Sequence, residues 1–337
     1  MSMPTPTNLS TSKQEKIKDL IQTKNLVVFT CTYYPTTNDL RLQQCIQTLN
    51  EPTYGSSTIA TVVVDGSPPD VHEYLIQQLC VNDNDNDNKQ GLTGLTVVVK
   101  EEGRFGRGKG GALREAADVA ASLDGVGDDT WLCWQEAEKS DMMRCWQTEV
   151  IVSNVQNCSG SGSNVNTGID ADIDAETGID TGIDILSEYD VICPKRGDGC
   201  FKQSYPIEQY HSESYGNYYM NCVMKGALQV ANDEMGPVSG IACKDIDWHF
   251  GPFAFRRKLL PLWLKYEGTS YDAQLIPIVA AIRKGYSVNS SLEVTFLLDG
   301  KMKEQEEGNL EFIEKRLLQL NDLDPKLKQS WEDDLYC

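Results

Sequence analysis

The strongest constraint on the fold is a series of short, continuous apolar and β-branched segments, each stopping abruptly at a polar turn. Leu26 to Thr32 (LVVFTCT) stops at Tyr33-Tyr34-Pro35, and Ile59 to Val64 stops at Asp65-Gly66-Ser67-Pro68-Pro69. Leu95 to Val99 and Thr130 to Trp134 repeat the pattern. A strand with one face in water alternates apolar and polar residues, whereas an unbroken apolar run is covered on both faces, as in a parallel sheet. Helical segments separate the runs: one capped by Asn38 or Asp39 and running through Leu49, one near Asp70 to Leu79, one from Gly111 to Leu123. This alternation predicts crossover connections. The expected fold class is α/β: a doubly wound, mostly parallel sheet flanked by helices, with a mixed C-terminal part.

The 337 residues, 40% of them apolar, suffice for one large core. Residues 1–24 read as a disordered or helical extension and residues 25–300 as a single domain. Residues 301–337 read as a helical tail, in which Glu304 to Leu320 forms an amphipathic surface helix with Leu310, Ile313, Leu317 and Leu318 on its apolar side. Two low-complexity inserts, 82–90 and 154–185, interrupt the frame. The second repeats Gly-Ile-Asp three times; a calcium-binding array needs regular stacked copies, and these irregular ones read as a disordered loop. A formal charge of −20 argues against a nucleic-acid partner, since binding by counterion release needs a basic stripe. No apolar run has transmembrane length, and the polar N-terminus lacks a secretory signal's apolar core, so the expected location is cytoplasmic. The eleven cysteines form no C-x-x-C pair and read as small buried hydrophobes.

The chemistry is expected where the fourth apolar run ends, at Gln135-Glu136-Ala137-Glu138-Lys139. Ligands of open parallel sheets sit at the carboxyl ends of the strands, and carboxylates at i and i+2 leave a strand on one side. One can then reach a metal while the other reaches a sugar or ribose hydroxyl. Upstream, Gly103-Arg104-Phe105-Gly106-Arg107-Gly108-Lys109-Gly110-Gly111 opens into a helix, combining glycines, helix-terminal amides and three cations as an anion site. The spacing fits neither a dinucleotide-binding fingerprint nor a P-loop, because Lys109 is followed by Gly110. The stretch Phe201 to Tyr219 is dense in aromatic and hydrogen-bonding side chains. It reads either as a sugar subsite, with Tyr205, Gln209, His211 and Glu213 toward an acceptor, or as tyrosine-rich packing. His249, in Asp245-Ile246-Asp247-Trp248-His249, reads as part of a polar turn or as a late metal ligand.

In order and spacing these parts resemble the nucleotide-sugar glycosyltransferases of the GT-A fold, in particular the family 2 type. The parts are Thr30-Cys31-Thr32-Tyr33, Val64-Asp65-Gly66-Ser67, Gly108-Lys109-Gly110-Gly111-Ala112-Leu113 and Glu136-Ala137-Glu138, followed by Asp272 ahead of Gly285-Tyr286-Ser287-Val288. The resemblance spans roughly Leu26 to Val288, and glutamates stand where the family pattern has Asp-x-Asp. It implies a GT-A-like catalytic domain using Mn or Mg, in which a sugar passes from a nucleotide-diphosphate sugar to a small or glycan acceptor. It also implies that Thr30, Thr32, Asp65, Arg104, Arg107, Lys109 and Glu136 bind the donor, Glu138 the metal, and that Asp272 takes the acceptor proton in an inverting displacement. Two other readings stand beside it: a binding protein that keeps the fold without catalysis, and a sugar-phosphate nucleotidyltransferase. The latter places its glycine-rich loop after the first strand, where this chain has Tyr33-Tyr34-Pro35-Thr36. Without a metal, Arg104, Arg107 and Lys195 would have to neutralise the diphosphate.

Overall fold

Leu26–Thr32 forms β1, almost wholly buried, and lies in the middle of the sheet. The computed structural model describes residues 11–51, 55–80, 94–147, 189–235, 245–294 and 300–332; both low-complexity inserts fall outside them. Among the described residues the main sheet runs β3-β2-β1-β4-β7-β5-β8. Here β2 is Ala60–Asp65, β3 Leu95–Val99, β4 Trp131–Trp134, β5 Val191–Ile192, β7 Phe253–Arg256 and β8 Val288–Asn289. The strands β3, β2, β1 and β4 are mutually parallel. Only β7 runs against its neighbours, β4 and β5. A separate two-stranded pair joins β6, Lys195–Arg196, to β9, Glu293–Val294. The expected mostly parallel α/β sheet with a mixed C-terminal part is present. Missing from the expectation was β7, whose Phe-Ala-Phe-Arg is too short to separate by pattern from the helix that follows.

The apolar runs do cover two faces. Val27 and Phe29 join Val62, Val64, Leu132 and Trp134 in one layer, while Leu26, Val28, Trp131 and Cys133 point into the other. Helices close both: α1 Thr11–Lys24, α2 Leu40–Asn50, α3 Pro69–Cys80, α4 Gly108–Ala121 and α5 Ser140–Cys145 in the first half. Asp39 caps α2, its side chain accepting from the Arg41 amide. In α4 the small residues Ala116, Ala117 and Ala120 are fully buried against β1 and β2. Phe255 stacks on Trp263 with ring centroids 3.8 Å apart, anchoring β7 to the short helix α8, Leu260–Lys265. (The helices α6, Asp198–Ser204, and α7, Ile207–Met235, precede it.)

Two stretches of the chain depart from the sequence reading. The stretch Phe201 to Tyr219 is largely helical, covering the end of α6 and the first half of α7. The tail forms α10, Gly300–Glu306, and α11, Leu310–Glu332. Leu310, Leu317 and Leu318 are exposed, and α11 buries Leu323, Leu327 and Trp331 instead, at i, i+4 and i+8. The apolar stripe that matters begins where the predicted helix ended. It packs α11 against α7 and α9, Asp272–Arg283, the latter buried along nearly its whole length.

Candidate active site

The carboxyl ends of β1, β2 and β4 open into a cavity of about 1050 Å³. Thr32, Gly66, Lys109, Glu136 and Glu138 line its sheet side; Tyr205, Gln209, Glu213 and Asp272 line the other walls. The cavity also collects seven Lys and Arg side chains against seven Asp and Glu, a balance far from the net −20 of the whole chain. A volume at the top of the range for ligand pockets leaves room for two substrates side by side.

Glu136 stands between two ammonium groups, Lys109 Nζ at 2.8 Å and Lys139 Nζ at 2.9 Å. Burial pushes its carboxyl up, but the two lysines outweigh burial and hold it far below the usual carboxylate range. Lys109 is steadied over the Tyr271 and Trp134 rings, and Lys139 donates to the Phe250 carbonyl at 2.7 Å. Glu138 differs. Its Oε1 accepts from the Tyr34 hydroxyl at 3.1 Å, and burial together with the charge of Glu136 pushes its carboxyl up. Environment thus sets the two carboxylates of one triplet apart.

No group of three His, Cys, Asp or Glu side chains is placed to hold a metal among the described residues. Glu138 alone still fits a hard divalent cation of the Mg or Mn kind, which commonly takes one or two carboxylates and completes its shell with water and phosphate oxygens. His249, the late-ligand candidate, lines the cavity and stacks on Tyr271, with Nε2 unpartnered and burial pushing its pKa down.

Asp65 and Thr30 are buried behind the lining. Asp65 Oδ1 accepts from the Thr32 and Ser67 hydroxyls at 2.8 and 2.6 Å, and Oδ2 meets His72 Nδ1 at 2.8 Å. The carboxylate knits the turns after β1 and β2, and Gly66 presents backbone to the cavity instead. Arg104 and Arg107 also stay outside the lining: Arg104 reaches Asp118 at 2.8 Å and Arg107 is the exposed cap of α4. The glycines at the start of α4 face protein. Gly108, at φ +68°, and Gly110 lie against the carbonyls of Thr269 and Gly268, and the Gly110 amide donates to Thr269 O at 3.2 Å. The segment serves as a close seam between α4 and the turn before α9, with Lys109 alone of its cations in the cavity.

The aromatic stretch sorts by helical period. Gln209 and Glu213, four apart, point inward with Tyr205 ahead of them; His211 is on the exposed side, edge-on to Tyr210. Arg196, which sequence reasoning passed over in favour of Lys195, lies 1% exposed and bonds Asp247 twice and Glu213 once, at 2.7 to 2.8 Å. Alternation along β6 explains the swap: Arg196 faces in, and Lys195 faces Glu293. Arg41, Lys139, Lys315 and Arg316 were missed as well. Arg316 reaches Gln209 at 2.9 Å and Glu213 at 3.5 Å from α11, a helix with no motif to flag it.

Asp272 is 2% exposed and faces the cavity. Its Oδ1 accepts from the Ser270 amide and hydroxyl at 3.1 and 3.0 Å; its Oδ2 accepts from the Tyr266 hydroxyl at 2.7 Å and Lys326 Nζ at 3.3 Å. Burial raises its pKa, and these donors, Tyr266 foremost, bring it below the ordinary value.

No family model and no curated protein matches the sequence. Solved structures do. Glucosyl-3-phosphoglycerate synthase from Mycobacterium tuberculosis, in complex with Mn2+, uridine diphosphate and glucosyl-3-phosphoglycerate, is similar over 97% of this chain and 87% of that one, at 12% identity and a TM-score of 0.45. The same enzyme in a structure described without ligands covers 94% and 85%, at 12% and 0.44. A mycobacterial protein covers 97% and 81%, at 13% and 0.44. These are likenesses of overall shape.

Proposed function

We propose that the cavity transfers a sugar from a nucleotide-diphosphate sugar to an acceptor hydroxyl, with inversion. The observation that carries this reading is the junction of two kinds of wall in one space. On the sheet side are the Lys109–Glu136–Lys139 cluster and Glu138. The same cavity is lined by a buried carboxylate, Asp272, and by the polar side chains of Tyr205, Gln209 and Glu213. Lys109 and Lys139 meet the donor's diphosphate, Glu136 accepts a ribose or sugar hydroxyl, and Glu138 is the residue that would hold a divalent cation. That cation, when bound, stabilises charge on the leaving diphosphate.

As the acceptor oxygen bonds to the anomeric carbon, its proton passes to Asp272. The carbon–oxygen bond to the diphosphate breaks, and its electron pair leaves on the nucleoside diphosphate. Titration calorimetry with UDP and GDP, with and without Mn, tests the donor half: micromolar to millimolar binding strengthened by the metal is expected, and no binding of either nucleotide sinks the reading. In Asp272→Asn, donor binding persists and turnover falls at least a hundredfold. Unchanged turnover removes Asp272 from the chemistry.

A further inference from the structure

A carboxylate offers about four lone-pair positions, and Asp272 has donors on all of them. Ser270 supplies two, one of them a backbone amide that cannot turn away. The Tyr266 hydroxyl, on a residue 8% exposed, makes the shortest contact. Lys326 differs from the others on three counts. Its contact is the longest of the four, its side chain is 38% exposed, and it holds a second carboxylate, Asp322, one helical turn back at 2.9 Å. An acceptor hydroxyl that gives its proton to Asp272 must first hydrogen-bond to it, so one donor has to yield. Asp322 and Ser270 line the cavity at that edge.

From this geometry we infer that Lys326 is a positioning residue: it caps Asp272 Oδ2 in the resting protein and is exchanged for the acceptor hydroxyl, withdrawing onto Asp322. The inference rests on the transferase reading above. The charged and titratable groups around Asp272 are Tyr266 and Glu267 from the preceding loop, Arg114 from α4, and Asp322 and Lys326 from α11. Arg114 is committed to the Phe105, Tyr266 and Gly268 carbonyls, which leaves Lys326 as the cation on the carboxylate itself.

The sign follows. With its donors in place Asp272 titrates below the ordinary carboxylate value. Removing the ammonium brings it back up, making it a stronger base wherever it is ionised and moving the acid limb of turnover to higher pH. The test measures nucleotide release from a panel of UDP- and GDP-hexoses, with water as acceptor, between pH 4 and 8. Lys326→Met should move the acid limb up by about half to one pH unit and raise the plateau severalfold, and Lys326→Arg should behave as the parent. A Met variant of normal melting temperature whose limb stays put, or whose plateau falls, overturns the inference while leaving the transferase standing. Nucleotide release absent from the parent and every variant overturns both.

Discussion

Glu136 has two ammonium groups within 2.9 Å and Glu138 has a phenol, and this difference decides what each can do. A carboxyl held far below its ordinary pKa stays charged throughout the physiological range, so Glu136 is a fixed negative group and no proton shuttle. Because its folded pKa is depressed, its stabilisation is complete above the unfolded value near 4.3 and fades as pH falls through the acid range. Glu136→Gln leaves two lysines facing each other, and a loss of about 1–2 kcal/mol at pH 7 is expected in chemical denaturation. The deficit should shrink on acidification; one that grew below pH 5 would refute the assignment. The triplet was legible in the sequence, as were Lys109 and Asp272. The lysine that completes the cluster, Lys139, stood beside the triplet, but nothing in a linear reading shows that it folds back onto Glu136.

At the level of elements, the glycine-rich start of α4 has a packing role that its sequence does not show. Gly108 and Gly110 let a helix end and a turn meet backbone to backbone, so that Lys109 and Asp272 border one cavity. A Cβ at Gly110 would collide with the Gly268 carbonyl. Gly110→Ala should therefore cost about 1–3 kcal/mol in urea or guanidinium unfolding, and nucleotide binding should weaken with it. Stability equal to the parent's would mean that the seam is loose. Strands β1 to β4 and the helices between them could be read from the sequence because each carries its own period or cap. By contrast, β6, β8 and β9 are two residues each, and only pairing with distant segments makes them strands. For α7 the helix itself went unread, because apolar and polar residues mix all round it; for α11 the difficulty was which face turns inward.

For the whole molecule, the net charge of −20 and the cavity's even mixture of charges act at different ranges. An approaching nucleotide diphosphate feels the distant negative field first and the lysines only on arrival. Salt screens the former over about 10 Å at 0.1 M. Raising ionic strength from 10 to 150 mM should therefore speed association of UDP while also speeding its release, as stopped-flow measurements can show. An association rate that fell with salt would point to a positive funnel at the mouth. The sequence did disclose this negative field, but not that cations from α2, α4, β6 and α11 converge inside it, because convergence is a property of the folded chain.

The wall contributed by α11 has a consequence for how this protein is made. Strands β1 to β4 and α4 leave the ribosome well before residues 310–332, yet Arg316 and Lys326 belong to that later segment. A nascent chain stalled ahead of it would present strands and the cavity lysine Lys109 with one side of the cavity still open to solvent. The cavity thus has all its described walls only once α11 has been made.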